Sequence, residues 1–288
     1  MSVDWQDLKH FVVLARTGSL SAAARELGCD HATVGRRVAA LERTLELKLI
    51  IRLPRSTFLT QDGLTISRMA EKMEEQSLAI LRHARSSRMF QACVRISAPP
   101  SIATYIIAPH ITEFNRAFPQ ITLTLSGESA MAELNRGEAD IAIRMIRPQQ
   151  PDLLTQRIGM MRYALYAAPQ HAVLSETKRR FISYDNNYQH QPHQQWLQQL
   201  LQGRPVVFQA SELFSLQQAA RTGLGAVVLP VFVADGDPDL VQVQTSIPAP
   251  VREIWLVTYT DLARTAVVRA AMNFIINIIG KYCPLLCH

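Results

Sequence analysis

Apolar residues recur every three or four positions through the first third of the chain. Trp5, Leu8, Phe11, Val12 and Ala15 share this spacing, which predicts a helix over 4–16. A Thr-Gly-Ser break follows, where Ser19 or Ser21 suits the cap of a second helix that stops at Gly28. Asp30 suits the N-cap of a third helix reaching about Leu45. Over 46–63, ELKLIIRLPRSTFLTQDG, the pattern becomes that of two short strands about a Pro54-Arg55 turn. From Gly63 to about Ser87 the chain reads as one long helix. Ile66, Met69, Met73, Gln76 and Ile80 repeat there at three- and four-residue intervals, the seam of a short coiled coil. Such a seam needs a partner helix. Self-association through Ile66, Met69, Met73 and Ile80 is expected, and packing on its own domain is the alternative.

After Gln91 the texture changes. VRISA, ITLTLSG, ADIAIR, YALYAA, RFISY, PVVFQ, GAVVLP and REIWLVTY read as strands, and 104–118, 129–137, 193–202, 212–222 and 263–280 as helices. Alternation of the two implies α/β architecture with largely parallel sheets. The tract 189–202 is rich in Gln and His but carries Trp196, Leu197, Leu200 and Leu201, so it reads as a loop entering an amphipathic helix. The expected organisation is a domain over 1–62, a linker helix over 63–90 and a larger domain over 91–288.

Charge sharpens this division. The chain has 288 residues and a net charge of +6, and residues 1–90 hold 14 of its 30 Lys+Arg but 10 of its 24 Asp+Glu. The excess sits in the first third, which points to nucleic acid more than to a membrane. No apolar stretch approaches the roughly 18 residues of a membrane span, and the N-terminus MSVDWQDLKH does not read as an export signal. Cys29, Cys93, Cys283 and Cys287 are then expected as reduced thiols in a cytoplasmic protein. The terminal CPLLCH has too few ligands for a metal site and reads as a weakly packed tail; no metal and no cofactor are expected.

The stretch ARELGCDHATVGRRVAALE, 24–42, carries the chemistry. Ala23, Ala24 and Leu27 form one apolar side, and Val34, Val38, Leu41 and Leu45 form another facing it across a tight turn. That is a helix-turn-helix. Its second helix presents His31, Thr33, Arg36 and Arg37 outward, where such a helix enters the major groove. Arginine pairs bidentately with guanine, at about 1–3 kcal/mol of discrimination per good pair. Ser21 and Thr33 suit phosphate contacts, which set position. Two adjacent arginines alone would read as a solvated helix face. Here they sit on a helix-turn-helix followed by a hairpin bearing Arg52 and Arg55, so contact with double-stranded DNA is expected.

Two segments, LKHFVVLARTGSLSAAARELGCDHATVGRRVAALE and LKLIIRLPRSTFLTQDG, resemble the winged helix-turn-helix of LysR-type transcriptional regulators. Looser likeness continues in APPSIATYIIAPHITEFNRAFPQITLTLSG, LNRGEADIAIR and AARTGLGAVVLP. Four positions depart from the pattern: Ile50 replaces the usual Phe of the wing, Gly35 the usual Ser in mid recognition helix, and His31-Ala32 the common Gln-Pro. The resemblance implies an α-helical winged helix-turn-helix domain and a long linker helix, then a two-lobed α/β effector domain like a periplasmic binding protein. Lobe 1 would cover about 92–162 and 266–288, and lobe 2 about 163–265. By matching position, Ser101, Ser126, Gly127, Glu128, Ser129, Arg144 and Ser211 are candidates to line the ligand cleft between the lobes. Ser101 could instead be only an N-cap, and Arg144 only an ion pair with Asp140 or Glu138. Ser101 beside free backbone N–H groups suits an anion, whereas Glu128 would repel one. The partners implied are DNA, a small-molecule effector and further copies of the chain as a homodimer or homotetramer.

Enzyme classes are disfavoured. The sequence has no nucleophile elbow, phosphate loop, His-Glu-x-x-His or paired-carboxylate motif. Two other readings stay open: an architectural DNA-binding protein without effector, and a solute-binding protein.

Overall fold

A computed structural model of the chain describes residues 3–52, 57–86, 92–127, 139–150 and 152–285. The chain divides into two compact units, Met1–Ser87 and Arg88–His288.

The first unit is built on four helices and a hairpin. Helix α1, Trp5–Thr17, starts at Asp4, whose side chain accepts from Gln6 N at 2.8 Å, and ends at Gly18 in the left-handed region. Helix α2, Leu20–Leu27, is capped by Ser19 and closed by left-handed Gly28. Helix α3, His31–Leu45, starts at Asp30, which accepts from Thr33 N at 2.7 Å. Each cap satisfies a donor that a helix start would otherwise leave bare. Phe11, Val12 and Leu14 of α1, Ala23 of α2 and Val34, Val38 and Leu41 of α3 are buried together. The small Ala23 and Ala24 let α2 approach its neighbours closely.

Strands β1, Ile50–Arg52, and β2, Thr57–Leu59, pair antiparallel. Period-2 alternation buries Ile50 and leaves the cross-strand pair Ile51 and Phe58 exposed. Glu42 anchors this wing. Its Oε1 accepts from Leu49 N at 2.9 Å and Ile50 N at 3.3 Å, and Lys48 Nζ lies 3.3 Å from Oε2. Helix α4, Gln61–Ser86, follows. Thr60 Oγ1 accepts from Gly63 N at 2.9 Å, and the chain passes so close to Leu49 that a Cβ on Gly63 would lie 2.1 Å from the Leu49 carbonyl oxygen.

Among the described residues the second unit holds one nine-stranded mixed sheet. Its strands are β3 (Ala92–Ser97), β4 (Ile121–Ser126), β5 (Ile141–Arg144), β6 (Leu153–Ala167), β7 (Phe181–Tyr184), β8 (Val206–Ala210), β9 (Ala226–Pro230), β10 (Val241–Val243) and β11 (Val251–Tyr259). The order is β4-β3-β5-β11-β6-β9-β7-β8, with β10 also on β6. The expectation of largely parallel sheets holds only towards the two edges. β3 runs parallel to β4 and β5, and β7 parallel to β8 and β9, but β6, β10 and β11 pair antiparallel. Two features were illegible in strand-length windows. Strand β6 is 15 residues long and passes through both lobes, its first part against β11 and its last against β9 and β10. Strand β11, expected within lobe 2 over 163–265, pairs with β5, a strand expected in lobe 1.

The helix expected over 104–118 is a composite over 100–117, with a π turn at Ala103–Ile107 and a 3-10 turn at Ala108–His110. Pro109 has no N–H to donate, and the turns about it loosen and then tighten to compensate. Helices Pro192–Leu201, Leu213–Arg221 and Ala266–Tyr282 match the other described expectations within a few residues. The segment expected as helix over 129–137 lies outside the described residues.

The tail expected to be weakly packed is anchored at its first residue, while Pro284 and Leu285 are exposed. Cys283 is buried, its carbonyl accepts from Met160 N at 3.0 Å, and burial pushes its thiol up to about 12. A thiol held in that state is a poor metal ligand. Cys287 and His288 lie outside the described residues. No described helix is long and apolar enough to cross a membrane.

Candidate DNA interface and ligand cleft

On the helix-turn-helix, the structure separates residues that the sequence grouped. Ser21, on the first turn of α2, and His31, the first residue of α3, are exposed. Arg36 is exposed, and its Nη2 donates to Thr33 Oγ1 at 3.0 Å. That hydroxyl donates in turn to Asp30 Oδ2 at 2.9 Å. Thr33 is thus part of the cap as well as of the outer face. Its two hydrogen bonds hold the Asp30 carboxyl below the usual range.

Arg37 points elsewhere. Its Nη1 donates to Asp7 Oδ1 at 3.1 Å and Asp4 Oδ2 at 3.3 Å, both at the start of α1. Asp7 is buried, so this guanidinium neutralises a carboxylate inside the domain. The reading of Arg37 as an outward DNA contact is corrected to that extent: helical geometry turns neighbouring residues about 100° apart, and one of the pair faces α1. Arg52 ends β1, but its side chain, like the whole of Arg55, lies outside the described residues. Glu42 is the structural residue that the sequence reading missed here.

On α4, Met69, Met73 and Ile80 are exposed at 61%, 51% and 71%, whereas Ile66 packs against the core of its own domain. The exposed apolar stripe therefore starts one position later than the heptad pattern suggested.

In the second unit a cavity of about 250 Å³ lies where the two lobes meet. Pro99 and Ser101 enter it from the loop and helix after β3, and Arg144, Met145 and Ile146 from the end of β5. Met161 and Tyr163 of β6, Val228 and Pro230 of β9, and Arg252 of β11 come from the crossing strands. Tyr184, Tyr188, Gln191, His193 and Leu213 complete it from lobe 2. Two of these contacts are built into the sheet register, where Met161 faces Arg252 and Tyr163 faces Pro230.

Arg144 is buried, and its guanidinium donates to Ile143 O at 2.8 Å and to Ser97 Oγ at 3.2 Å. Its suggested partner Asp140 instead takes Arg95 in a fork, with Nη2–Oδ1 at 3.0 Å and Nε–Oδ2 at 3.3 Å. Arg252 Nη1 donates to Gln191 Oε1 at 2.8 Å. The rings of Tyr163 and His193 stack with centroids 4.9 Å apart, and Tyr184 meets His193 edge-on at 5.5 Å. Burial, and then the charge of Arg252, hold the imidazole down at about 4, so it is neutral near pH 7. Burial raises the Tyr163 and Tyr184 phenols.

Of the seven sequence candidates, Ser101 and Arg144 line the cavity. Ser126, Gly127 and Ser211 do not: Ser126 is tied into the sheet, its carbonyl accepting from Ala98 N, and Ser211 is exposed. Glu128 and Ser129 lie outside the described residues. The aromatic wall and Arg252 went unread. One signal was present: Arg252 stands two residues before buried Ile254, on the inward phase of its strand.

A polar link also joins the lobes. Tyr105, in the π turn, donates to Gln217 Oε1 at 2.6 Å, and Gln217 Nε2 donates to Asp237 Oδ2 at 2.7 Å.

Comparison with known proteins covers both units. Residues 5–64 match the model of the bacterial regulatory helix-turn-helix protein, lysR family, and residues 87–277 match the LysR substrate binding domain. The Mau operon transcriptional activator of Paracoccus denitrificans is 28% identical over 292 residues, covering 97% of this chain and 98% of its own. The solved structure of CrgA, a LysR-type transcriptional regulator from Neisseria meningitidis, superposes with a TM-score of 0.55 at 22% identity. That match covers 97% of this chain and 100% of the other. ArgP from Mycobacterium tuberculosis gives a TM-score of 0.58 at 18% identity over 98% and 99%. At these identities the structural likeness is one of fold.

Proposed function

The chain belongs to the LysR-type transcriptional regulators, DNA-binding proteins with an effector-binding domain, and from that premise we propose that it reads a dyad-symmetric operator under control of a ligand in the cavity between its lobes. Arg36 and His31 read base edges in the major groove, while Ser21, Thr33 and the wing residues Arg52 and Arg55 hold phosphates. Pairing of α4 through Met69, Met73 and Ile80 sets two recognition helices on successive half-sites, about one helical turn or a multiple apart. The chain works as a homodimer or a homotetramer in the cytoplasm. Regulation follows if the ligand prefers one arrangement of the lobes over another.

The observation that carries this reading is the exposed Arg36 on a capped helix whose neighbour Arg37 is committed to α1. Footprinting on DNA flanking the protein's own gene tests it. One protected, dyad-symmetric site that weakens with Arg36→Ala supports the reading. Diffuse protection that fades with modest salt and ignores the substitution would make the protein an architectural one.

A further inference from the structure

Resting on the reading of α3 as the recognition helix, we propose that Asp30 is a positioning residue for DNA readout: through the Thr33 hydroxyl it aims the Arg36 guanidinium at a guanine in each half-site. The links are short and continuous. Asp30 Oδ1 accepts from Thr33 N at 2.7 Å, Asp30 Oδ2 accepts from Thr33 Oγ1 at 2.9 Å, and Thr33 Oγ1 accepts from Arg36 Nη2 at 3.0 Å. The first of these alone caps the helix. Ser19 caps α2 with its one hydroxyl oxygen, which accepts from Ala22 N at 3.2 Å. The second oxygen of Asp30 therefore exceeds what a cap requires. It acts on the hydroxyl proton of Thr33. With that proton turned to Asp30, the hydroxyl lone pairs are left to Arg36. The arginine thus reaches back one turn, towards the end of the helix that enters the major groove.

An arginine paired directly with an acid could not serve in this way. Asp140 takes Arg95 in a fork, and the prongs that would match a base are spent on it. Arg37 likewise gives its Nη1 to Asp7 and Asp4. In the relay a hydroxyl stands between acid and guanidinium. Among the described residues it takes a single N–H of Arg36, and the rest of the fork stays open to guanine O6 and N7. The acid and the guanidinium still sense each other: the Thr33 amide and hydroxyl, and then the charge of Arg36, hold the Asp30 carboxyl below its usual range. Arg36 is exposed, so without the relay its long side chain would sample many rotamers and lose that freedom on binding. Asp30 is exposed as well, and a carboxylate beside DNA repels phosphates of every sequence alike. The paired guanine then matters more to the choice of site.

The test is selection from a pool of short random-sequence duplexes, with sequencing of the bound fraction, run on the full parent chain, Arg36→Ala and Asp30→Ser. The parent should enrich a dyad-symmetric motif with a guanine in each half-site, and Arg36→Ala should abolish that preference. Serine caps a helix about as well as aspartate. Asp30→Ser should therefore keep the parent's thermal midpoint while the preference for that guanine falls about threefold or more. Its affinity for a duplex of arbitrary sequence should not fall, because a negative charge has left the DNA-facing end of the helix. A fall in midpoint and in all affinities together would make Asp30 a cap only and overturn the proposal. Full guanine preference in Asp30→Ser, where Arg36→Ala has lost it, also overturns the relay and leaves the regulator standing. If the parent enriches no motif, the operator reading and the relay fall together. An unchanged motif in Arg36→Ala removes Arg36 from base readout, and the relay with it. Should Asp30→Ser fail to fold, Thr33→Val decides, since it deletes the hydroxyl and keeps the amide that Asp30 caps. It should lose the same guanine preference on top of any general weakening, and a loss equal on every sequence overturns the proposal.

Discussion

Arg37 of α3 donates to the buried carboxylate of Asp7 on α1 at 3.1 Å, while Arg36, one residue earlier, keeps to the outer face of the helix. Adjacent arginines therefore have separate duties, and substitution should separate them. Arg36→Ala is expected to weaken operator binding with little change in thermal midpoint. Arg37→Ala leaves Asp7 without its cation and should lower the midpoint by a few degrees. Paired thermal melts and footprints measure both; equal loss of stability in the two variants would refute the division.

Glu42→Ala should loosen the wing. It strips acceptors from the Leu49 and Ile50 amides, and leaving buried donors unmade costs about 1–3 kcal/mol. Urea unfolding of the variant measures the loss, and DNA affinity should fall with it because β1 begins at Ile50.

Gly63→Ala tests the close approach of α4 to Leu49. The new methyl would sit 2.1 Å from a backbone oxygen, which cannot swing away as a side chain tip could. Overpacking of this kind costs about 1–3 kcal/mol. A variant as stable as the parent in the same unfolding assay would show that Leu49 and α4 are not held as described.

Acid should weaken the second unit through His193. Its pKa in the folded protein, about 4, lies below the ordinary 6.5, so the unfolded chain binds the proton first. The stability linked to this group is complete above pH 6.5 and is lost as pH falls towards 4. Between pH 7 and 4.5 the loss should reach roughly 2–3 kcal/mol. His193→Phe keeps a ring beside Tyr163 and should flatten that part of the slope. His171, whose pKa burial also lowers, contributes the same sign in both proteins, so the difference between their curves isolates His193.

Tyr105→Phe removes the hydroxyl that joins the composite helix to Gln217. The lost bond is worth about 1 kcal/mol, and it spans the lobes. Ligand affinity should change several-fold while DNA binding without ligand keeps its sequence preference. Titration and footprinting of the same preparation check the two halves.

Much of the first unit was legible because its signals are local. Asp30, Gly28 and the 3–4 spacing of Val34, Val38 and Leu41 act within a turn or two of helix. The direction of Arg37 was not, since it depends on Asp7, 30 residues away. The cleft was legible in outline through Ser101 and Arg144, which stand at strand ends. Its aromatic wall was hidden because Tyr163, Tyr184 and His193 come from three separate elements and meet only through the sheet order. Likewise the π turn at 103–107 keeps the sequence of a regular helix, and only Pro109 hints at it.

Strand β6 finally bears on what kind of machine the second unit is. Two lobes joined by floppy connectors swing like doors, and their positions are set by whatever they last touched. These share a 15-residue plank, braced along its first part by β11 apart from one register shift at Ile158. Displacing one lobe has to wind that plank about its own length, a few degrees in each peptide. The restoring torque grows with every degree, so the signal sent onwards should be small in amplitude, stiff, and quickly reversed once the cavity empties.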